Sequence, residues 1–452
     1  MSVVRIRERI AVCRTRAVVR LPFACALLFC IAPSRGFGGE ATATAPRPEI
    51  VYADGRGLQA ALDAAATHSI VLCDRNRPLT LSTPVTIRKP LTLRGLHARL
   101  PERLGNTPLV VVAADGVTIC DFELYGNRDS VPQDDRCALL VIQAGDFTVE
   151  RGLFVNSSKD GVMVDGPSVK DRDIVGGVVR DIVGRGNVRD VVSLGGGGVH
   201  GHRIRNVLVD NVRGYDSRLR GAVEVSDGSD NVTVRKVYAE QMIYAVDVQD
   251  HGAPRETNTN VVIEDVYALE CRHAIRTANK PRGHANLTMR DITAERCEAP
   301  LAISNTRHVT LENVRIADHP ARRPPVSIAN CDGVTVRDVT VTNSAHQGPA
   351  ILVENCNDTL IDGLTVRGEA NALSSGVCFR AGNNKAFSSL FIHNVSAPNV
   401  TVAGVLLESA GKKATLTDYM ITGNRALVVD RIRGRRARVA DNLPLDGDAK
   451  AP

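Results

Sequence analysis

The chain has 452 residues, enough for one large core or several ordinary domains. It has no Trp, 4% aromatic residues and 38 Gly, a balance that suits short strands and tight turns and argues against a helical bundle. The net charge is +6, but residues 1–43 hold seven Arg and two Glu, so the rest is near neutral and carries no nucleic-acid footprint.

In chain order, Arg5, Arg7, Arg9, Arg14, Arg16 and Arg20 precede the apolar run "LPFACALLFCIA" (21–32). Twelve residues are too few to span a bilayer as a helix, so stable membrane insertion is not expected. "ATA" at 41–43 offers a cleavage site, and residues 1–43 read as an export signal that leads to a secreted, periplasmic or cell-surface protein. "GRGLQAALDAAATHS" (55–69) is amphipathic, with Leu58, Ala61, Leu62 and Ala65 on one helical face. It is placed to cap the end of a sheet and cover its edge.

A phrase then recurs: "DGVTICDF" (115–122), "GDFTVERG" (145–152), "RNVLVDNV" (205–212), "DNVTVRKV" (230–237), "TNVVIEDV" (259–266), "ANLTMRDI" (285–292), "RHVTLENV" (307–314) and "DGVTVRDV" (332–339). Each copy alternates like a strand and is followed by a second short strand, such as "GAVEVSDG" or "YAVDVQDHG". No helical period of useful length intervenes, which excludes βαβ units. Strands repeating about every 25 residues describe the coils of a parallel β-solenoid over 50–430. Of eleven Cys, eight lie beyond the signal, without a CxxC pair, so a zinc site is not expected. Cys271 with Cys297, and Cys331 with Cys356, occupy matching places and read as buried stacked thiols. "RIRGRRAR" (431–438) opens a basic tail, 431–452, that reads as solvated and flexible.

Equal positions in successive coils lie above one another. Aligning the short strands on Val162/Val164, Val192/Leu194, Val223/Val225, Val246/Val248, Ile275/Thr277 and Leu301/Ile303 puts Met163, Ser193, Glu224, Asp247, Arg276 and Ala302 in one outward column. Asp160, Asp190, Arg220, Tyr244 and His273 enter those strands at or within a residue of matching places. Asp165, Asp227, Asp250 with His251, and Lys280 leave them. Glu224 directly beside Asp247 is unfavourable for mere solubility, because opposed like charges destabilise. The coils over 160–280 are therefore the candidate site. "GGGGVHGH" (195–202) reads as a loop at its rim, and "DGSDN" (227–231) as a turn that could also bring Asp227 and Asp230 to calcium.

The capping helix, "PLTLSTPVTIRKPLTLRG" and the iterated "NVTVRDV"-like coils resemble the pectate-lyase-like right-handed parallel β-helix superfamily. The resemblance implies an all-β, single-stranded right-handed parallel β-helix with an N-terminal capping helix. Its families include pectate lyases, polygalacturonases, alginate lyases and epimerases, and tailspike depolymerases. Polygalacturonases carry Asn-Thr-Asp, Asp-Asp, Gly-His-Gly and Arg-Ile-Lys on consecutive coils. "SKDG" (158–161) resembles the first and places Asp160 on its acid, and "VRDVVSL" (188–194) keeps Asp190. Arg220 stands where that family has His, and Asp247 with Gln249 replace its basic pair, so the match is partial.

Hydrolysis in that manner would use Asp160 and Asp190. The lyases of the fold imply an Arg or Lys base and neutralisation of a uronate carboxylate, often by calcium. Arg220 beside Asp190, Glu224 and Asp247 supplies those residue types, and Tyr244 or His251 could act as acid or base. The scarcity of aromatics points to an acidic glycan, contacted by Tyr244, His251, His273, Arg276 and Lys280. The expected activity is cleavage or modification of an acidic polysaccharide by a lyase, hydrolase or epimerase. A non-catalytic glycan-binding or surface-structural solenoid is the alternative.

Overall fold

The computed structural model describes residues 49–53, 57–169, 171–196, 203–217, 219–251, 257–278, 283–368, 372–382, 386–409, 414–432 and 434–442. The export signal expected over 1–43 lies outside them. Among the described residues the chain builds two long parallel sheets, of 18 and 14 strands, and one α-helix, Leu58–Ala64. Long strands such as Asp230–Glu240 and Thr259–Leu269 alternate along the chain with short ones such as Tyr244–Gln249 and His273–Ala278. Each pairs in parallel with its equivalent one coil on, as in Val232↔Val261 and Val246↔Ile275. The inward columns, Val223, Val246, Ile275 and Leu301 among them, join one continuous apolar core.

The recurring phrase works through its corners. In "DNVTVRKV" Asn231 has φ 53° and Lys236 φ 54°; in "ANLTMRDI" Asn286 has 58° and Asp291 57°; in "DGVTVRDV" Gly333 has 70° and Asp338 52°. These left-handed residues turn the chain inside each long strand, a conformation that Asn, Asp and Gly tolerate best. The Asn side chains also bond the coil before: Asn211 donates to Asp181 at 2.7 Å and Asn313 to Asp291 at 2.6 Å.

The helix covers the first edge of the 14-stranded sheet. Leu58 and Leu62 are buried, and the Gln59 side chain accepts from Thr86 N–H (2.8 Å) and donates to Thr86 C=O (3.0 Å). One amide thus stands in for the missing neighbour of the strand Val85–Ile87. At the other end the 18-stranded sheet runs past residue 430. Gly434–Ala440 pairs with Thr415–Thr422, so part of the stretch expected to be a tail is a strand. All eight described cysteines are free thiols, seven of them buried.

One column outside the 18-stranded sheet changes sign at every coil: Glu150, Arg180, Asp210, Arg235, Glu264, Arg290, Glu312, Arg337, Asp362. Neighbours pair, with Arg180 2.7 Å from Glu150 and Arg235 3.0 Å from Asp210. Such pairs, open to water on the arginine side, are worth about 0–1 kcal/mol each.

The corners carry a direct test. Asn211→Val should cost about 2 kcal/mol, from a β-branched residue at φ 54° and the lost bond to Asp181, as read by denaturant unfolding. Asn211→Gly, which removes only the hydrogen bond, should cost clearly less. Equal losses would assign the effect to the hydrogen bond alone.

Candidate active site

The 14-stranded sheet carries one outward column through all its strands. Thr86, Val111, Val141, Met163 and Ser193 precede Glu224, Asp247 and Arg276, and Ala302, Ser327, Leu352, Cys378, Leu406 and Val429 follow. The charged residues of this column are three in a row, stacked in the order the sequence alignment gives.

Their setting differs from an open cleft. Glu224 is 1% exposed and Asp247 0%, as are Asp160 and Asp190. Four carboxyls are thus out of water, roofed by guanidiniums. Arg276 Nε bonds Asp247 Oδ1 at 2.9 Å and its Nη2 bonds Oδ2. Arg220 Nη1 lies 3.7 Å from Glu224 and 4.0 Å from Asp247. Arg189, which the sequence reading did not single out, reaches three carboxyls: Asp160 at 3.4 Å, Asp190 at 3.8 Å and Glu224 at 3.2 Å. Its signal was visible only as an Arg preceding Asp190. The side chains of Arg189, Arg220 and Arg276 are each about a quarter exposed.

Strand pairing skips Ala245, and Ala245 and Val246 both enter the core. That irregularity leaves Tyr244 on the side of Asp247, with Arg276 5.2 Å above its ring. The ring lies against Gly221, where an added Cβ would come within 2.2 Å of it, and its hydroxyl donates to Asp190 Oδ1 at 2.8 Å. Gly221 N–H donates to the same oxygen at 3.1 Å, and Asp190 N–H to Asp160 Oδ1 at 3.2 Å. Asp160 Oδ2 and Asp190 Oδ2 find no donor.

A single proton reconciles this arrangement. Burial, reinforced by Glu224, pushes Asp190 well above the usual carboxylate range. Burial opposes ionisation of Glu224 too, but a hydrogen bond from Asp190 and the guanidiniums of Arg189 and Arg220 hold it at about 2. A proton on Asp190, donated to Glu224, leaves three carboxylates facing three guanidiniums. Burial also raises Asp160, and pushes Asp247 up to about 6 against the pull of Arg276.

Gln249 links this cluster to a more exposed pair. Its Oε1 accepts from Arg220 at 2.9 Å, while its Nε2 donates to Glu224 and lies 3.5 Å from His251 Nε2. His251 Nδ1 is 2.8 Å from both oxygens of Asp227, so Nδ1 carries the hydrogen and Nε2 is the acceptor of the neutral ring. The bond to Asp227 raises the His251 pKa above its ordinary value. The His251 side chain is half-exposed.

His273 stacks on Tyr244 but takes no part in the carboxyl cluster. Its Nδ1 bonds the Ala299 carbonyl at 2.7 Å, and burial pushes its pKa down to about 4, so it is a neutral buried ring. Lys280 and the glycine-rich loop beyond Gly196, with His200 and His202, lie outside the described residues. Calcium does not fit what is described. Asp227 holds His251, Asp230 accepts from Thr259 and Asn260, and the carboxyl cluster is engaged by arginines. Among the described residues no group of three or more His, Cys, Asp or Glu is arranged to hold a metal ion.

No protein-family model matches the chain, and no curated protein matches it. Among solved structures it is similar to the N-terminal fragment of bacteriophage Phi29 gene product 12, with TM-score 0.53 and 13% identity over 80% of this chain and 69% of that one. It is also similar to the A-module of Azotobacter vinelandii mannuronan C-5 epimerase AlgE6, with TM-score 0.48 and 14% identity over 87% and 95%. For a polygalacturonase from Erwinia carotovora ssp. carotovora the TM-score is 0.33 and the identity 10%, over 86% and 99%. At these identities the likeness speaks to fold alone, and it agrees with the coil-by-coil pairing: the chain is a parallel β-helix.

Protonation of Asp190 can be tested through stability. Its pKa is higher folded than unfolded, so its contribution is fully present below the unfolded value and is lost as pH rises through the folded one. Asp190→Asn keeps the acceptor for Tyr244 and Gly221 and should leave stability at neutral pH unchanged or higher. Glu224→Gln removes the anion facing Arg189 and Arg220 and should cost about 3 kcal/mol in denaturant unfolding. The reverse ranking would contradict the proton assignment.

Proposed function

We propose that the chain is an exported enzyme acting on an acidic polysaccharide, and that it removes the proton beside a sugar carboxylate. The observation that carries this is the buried, arginine-roofed carboxyl cluster on an otherwise apolar or small-residue column. Removing several charges from water costs several kcal/mol per ion, and ionisable groups perturbed in this way concentrate at functional sites.

Arg189, Arg220 and Arg276 are the partly exposed members of the cluster, and they would meet the substrate carboxylate. Neutralising that carboxylate acidifies the adjacent C–H. His251 Nε2, with Nδ1 held by Asp227, takes the proton. In elimination the C–H electrons form a double bond as the C–O bond to the next sugar breaks, and the leaving oxygen takes a proton. In epimerisation the proton returns on the opposite face. Tyr244, whose hydroxyl is bonded to Asp190 beneath Arg276, is the group that would donate it. Inverting hydrolysis needs carboxyls about 6.5–9.5 Å apart with water between them. Asp160 and Asp190, the pair expected for that route, are both fully buried and tied together through the Asp190 N–H, so neither opens to the solvent that would have to supply that water.

A panel of acidic and neutral polysaccharides, followed by unsaturated-product absorbance, reducing ends and solvent deuterium uptake, tests the reading. Unsaturated product or deuterium uptake with an acidic polymer is expected. New reducing ends without unsaturation would overturn it in favour of hydrolysis. His251→Ala should lower turnover by about 10²–10⁴-fold. Asp227→Asn should move the acid limb of the pH–rate profile to lower pH, because it removes the partner that raises the His251 pKa. The full burial of the carboxyls favours one other reading, a non-catalytic glycan-binding solenoid. That reading predicts binding without turnover by any of the three assays.

A further inference from the structure

A groove of about 930 Å³ runs along the corner where the long strands hand over to the short strands of the site. Ser217, Met242 and Ile243 line it beside Arg272, Arg322 and Arg323. It adjoins the backbone that carries two of the cluster's arginines: the Ser217 hydroxyl donates to the Arg189 carbonyl at 2.8 Å and accepts from Arg220 N–H at 3.3 Å.

The charge on its walls is unbalanced. Arg322 is paired with Glu298 at 3.0 Å and Arg296 with Glu270 at 3.0 Å. Arg272 and Arg323, both exposed, have no acidic partner within 4 Å among the described residues. A second and larger groove, about 1090 Å³ beside the capping helix, shows the contrast. There Arg75 is paired with Glu123, Arg77 with Asp74 and Arg94 with Asp121. Of the two grooves, the corner one is the one with cationic capacity to spare.

We infer that the corner groove is a binding subsite for carboxylate-bearing sugar residues, in which Arg272 and Arg323 grip chain units beyond those at the carboxyl cluster. This rests on the proposed acidic-polysaccharide reading for the identity of the ligand. Two guanidinium forks offer paired N–H donors at the geometry a carboxylate accepts. The alternating ladder outside the 18-stranded sheet offers no such site, since each of its cations has an acidic neighbour one coil away.

The test uses the full chain and direct binding, so it does not depend on turnover. Calorimetric titrations would compare polygalacturonate, alginate, dextran sulfate and neutral dextran, with Arg272→Ala/Arg323→Ala beside the parent protein. Both positions are exposed, and thermal unfolding would confirm that the variant folds. The expected result is binding of at least one polyuronate, no binding of neutral dextran, and a roughly tenfold or greater loss of polyuronate affinity in the double variant. Arg272→Lys/Arg323→Lys should recover part of that loss, because charge returns without the paired fork. Unchanged polyuronate affinity in the Ala variant, or binding to none of the four polymers, would overturn the subsite. Dextran sulfate bound as tightly as either polyuronate would reduce it to a general anion patch and also overturn the carboxylate assignment. Turnover that persists in the Ala variant, with KM for long chains and short oligomers equally unaffected, would remove the groove and leave the proposed function standing. Loss of binding in the variant of a protein that turns over nothing would remove the proposed reaction and leave the groove.

Discussion

Parallel pairing at one coil per step governs everything outside the core. Once Val223, Val246 and Ile275 stack inward, the residues between them have no choice but to stack outward. A like-charge contact such as Glu224 on Asp247 cannot be relieved by sliding one strand, because a slip of one residue would drive the apolar set into water. The molecule relieves it instead with guanidiniums from three coils. The left-handed corners give this register its rigidity, since each coil turns at the same points as its neighbours.

The cluster is therefore best understood as a neutral object. Four carboxyls, three guanidiniums and one proton cancel, and the amide of Gln249 joins Arg220, Glu224 and His251. Neutrality lets the group be buried, but the balance is local. A substrate carboxylate arriving over the arginines would add a fourth negative charge and disturb the proton on Asp190. Binding and proton position are thereby coupled through the same few atoms.

The repeat was legible because apolar alternation and Asn/Asp/Gly corners recur in phase, and from it the column of Glu224, Asp247 and Arg276 followed. What was not legible depends on side-chain reach. Arg189 precedes Asp190 by one residue and would be assigned to another face by period-two reasoning, yet its long side chain spans to Glu224 on the next coil. Tyr244 reaches Asp190, two coils away, only because Gly221 between them has no Cβ. Burial was hidden for a similar reason. Asp and Glu read as solvated in a sequence, and only the arginines folding over them take them out of water. Asp227 was read as a turn residue beside Asp230, and its φ of 56° does turn the chain there; what the sequence did not show is that its carboxylate holds His251.

The sign-alternating column outside the 18-stranded sheet bears on how such a chain can grow or shrink over generations. Its order, Arg235, Glu264, Arg290, Glu312, is a two-coil period laid over a one-coil repeat. Excising the coil that bears Glu264 would reseal the core without difficulty, because the coils are nearly interchangeable inside. It would also bring Arg235 onto Arg290, and opposed like charges are unfavourable by a few tenths to about 1 kcal/mol. Removing two consecutive coils restores the alternation. The surface thus keeps a parity that the interior does not need, and a solenoid of this kind would be expected to gain and lose its coils in pairs.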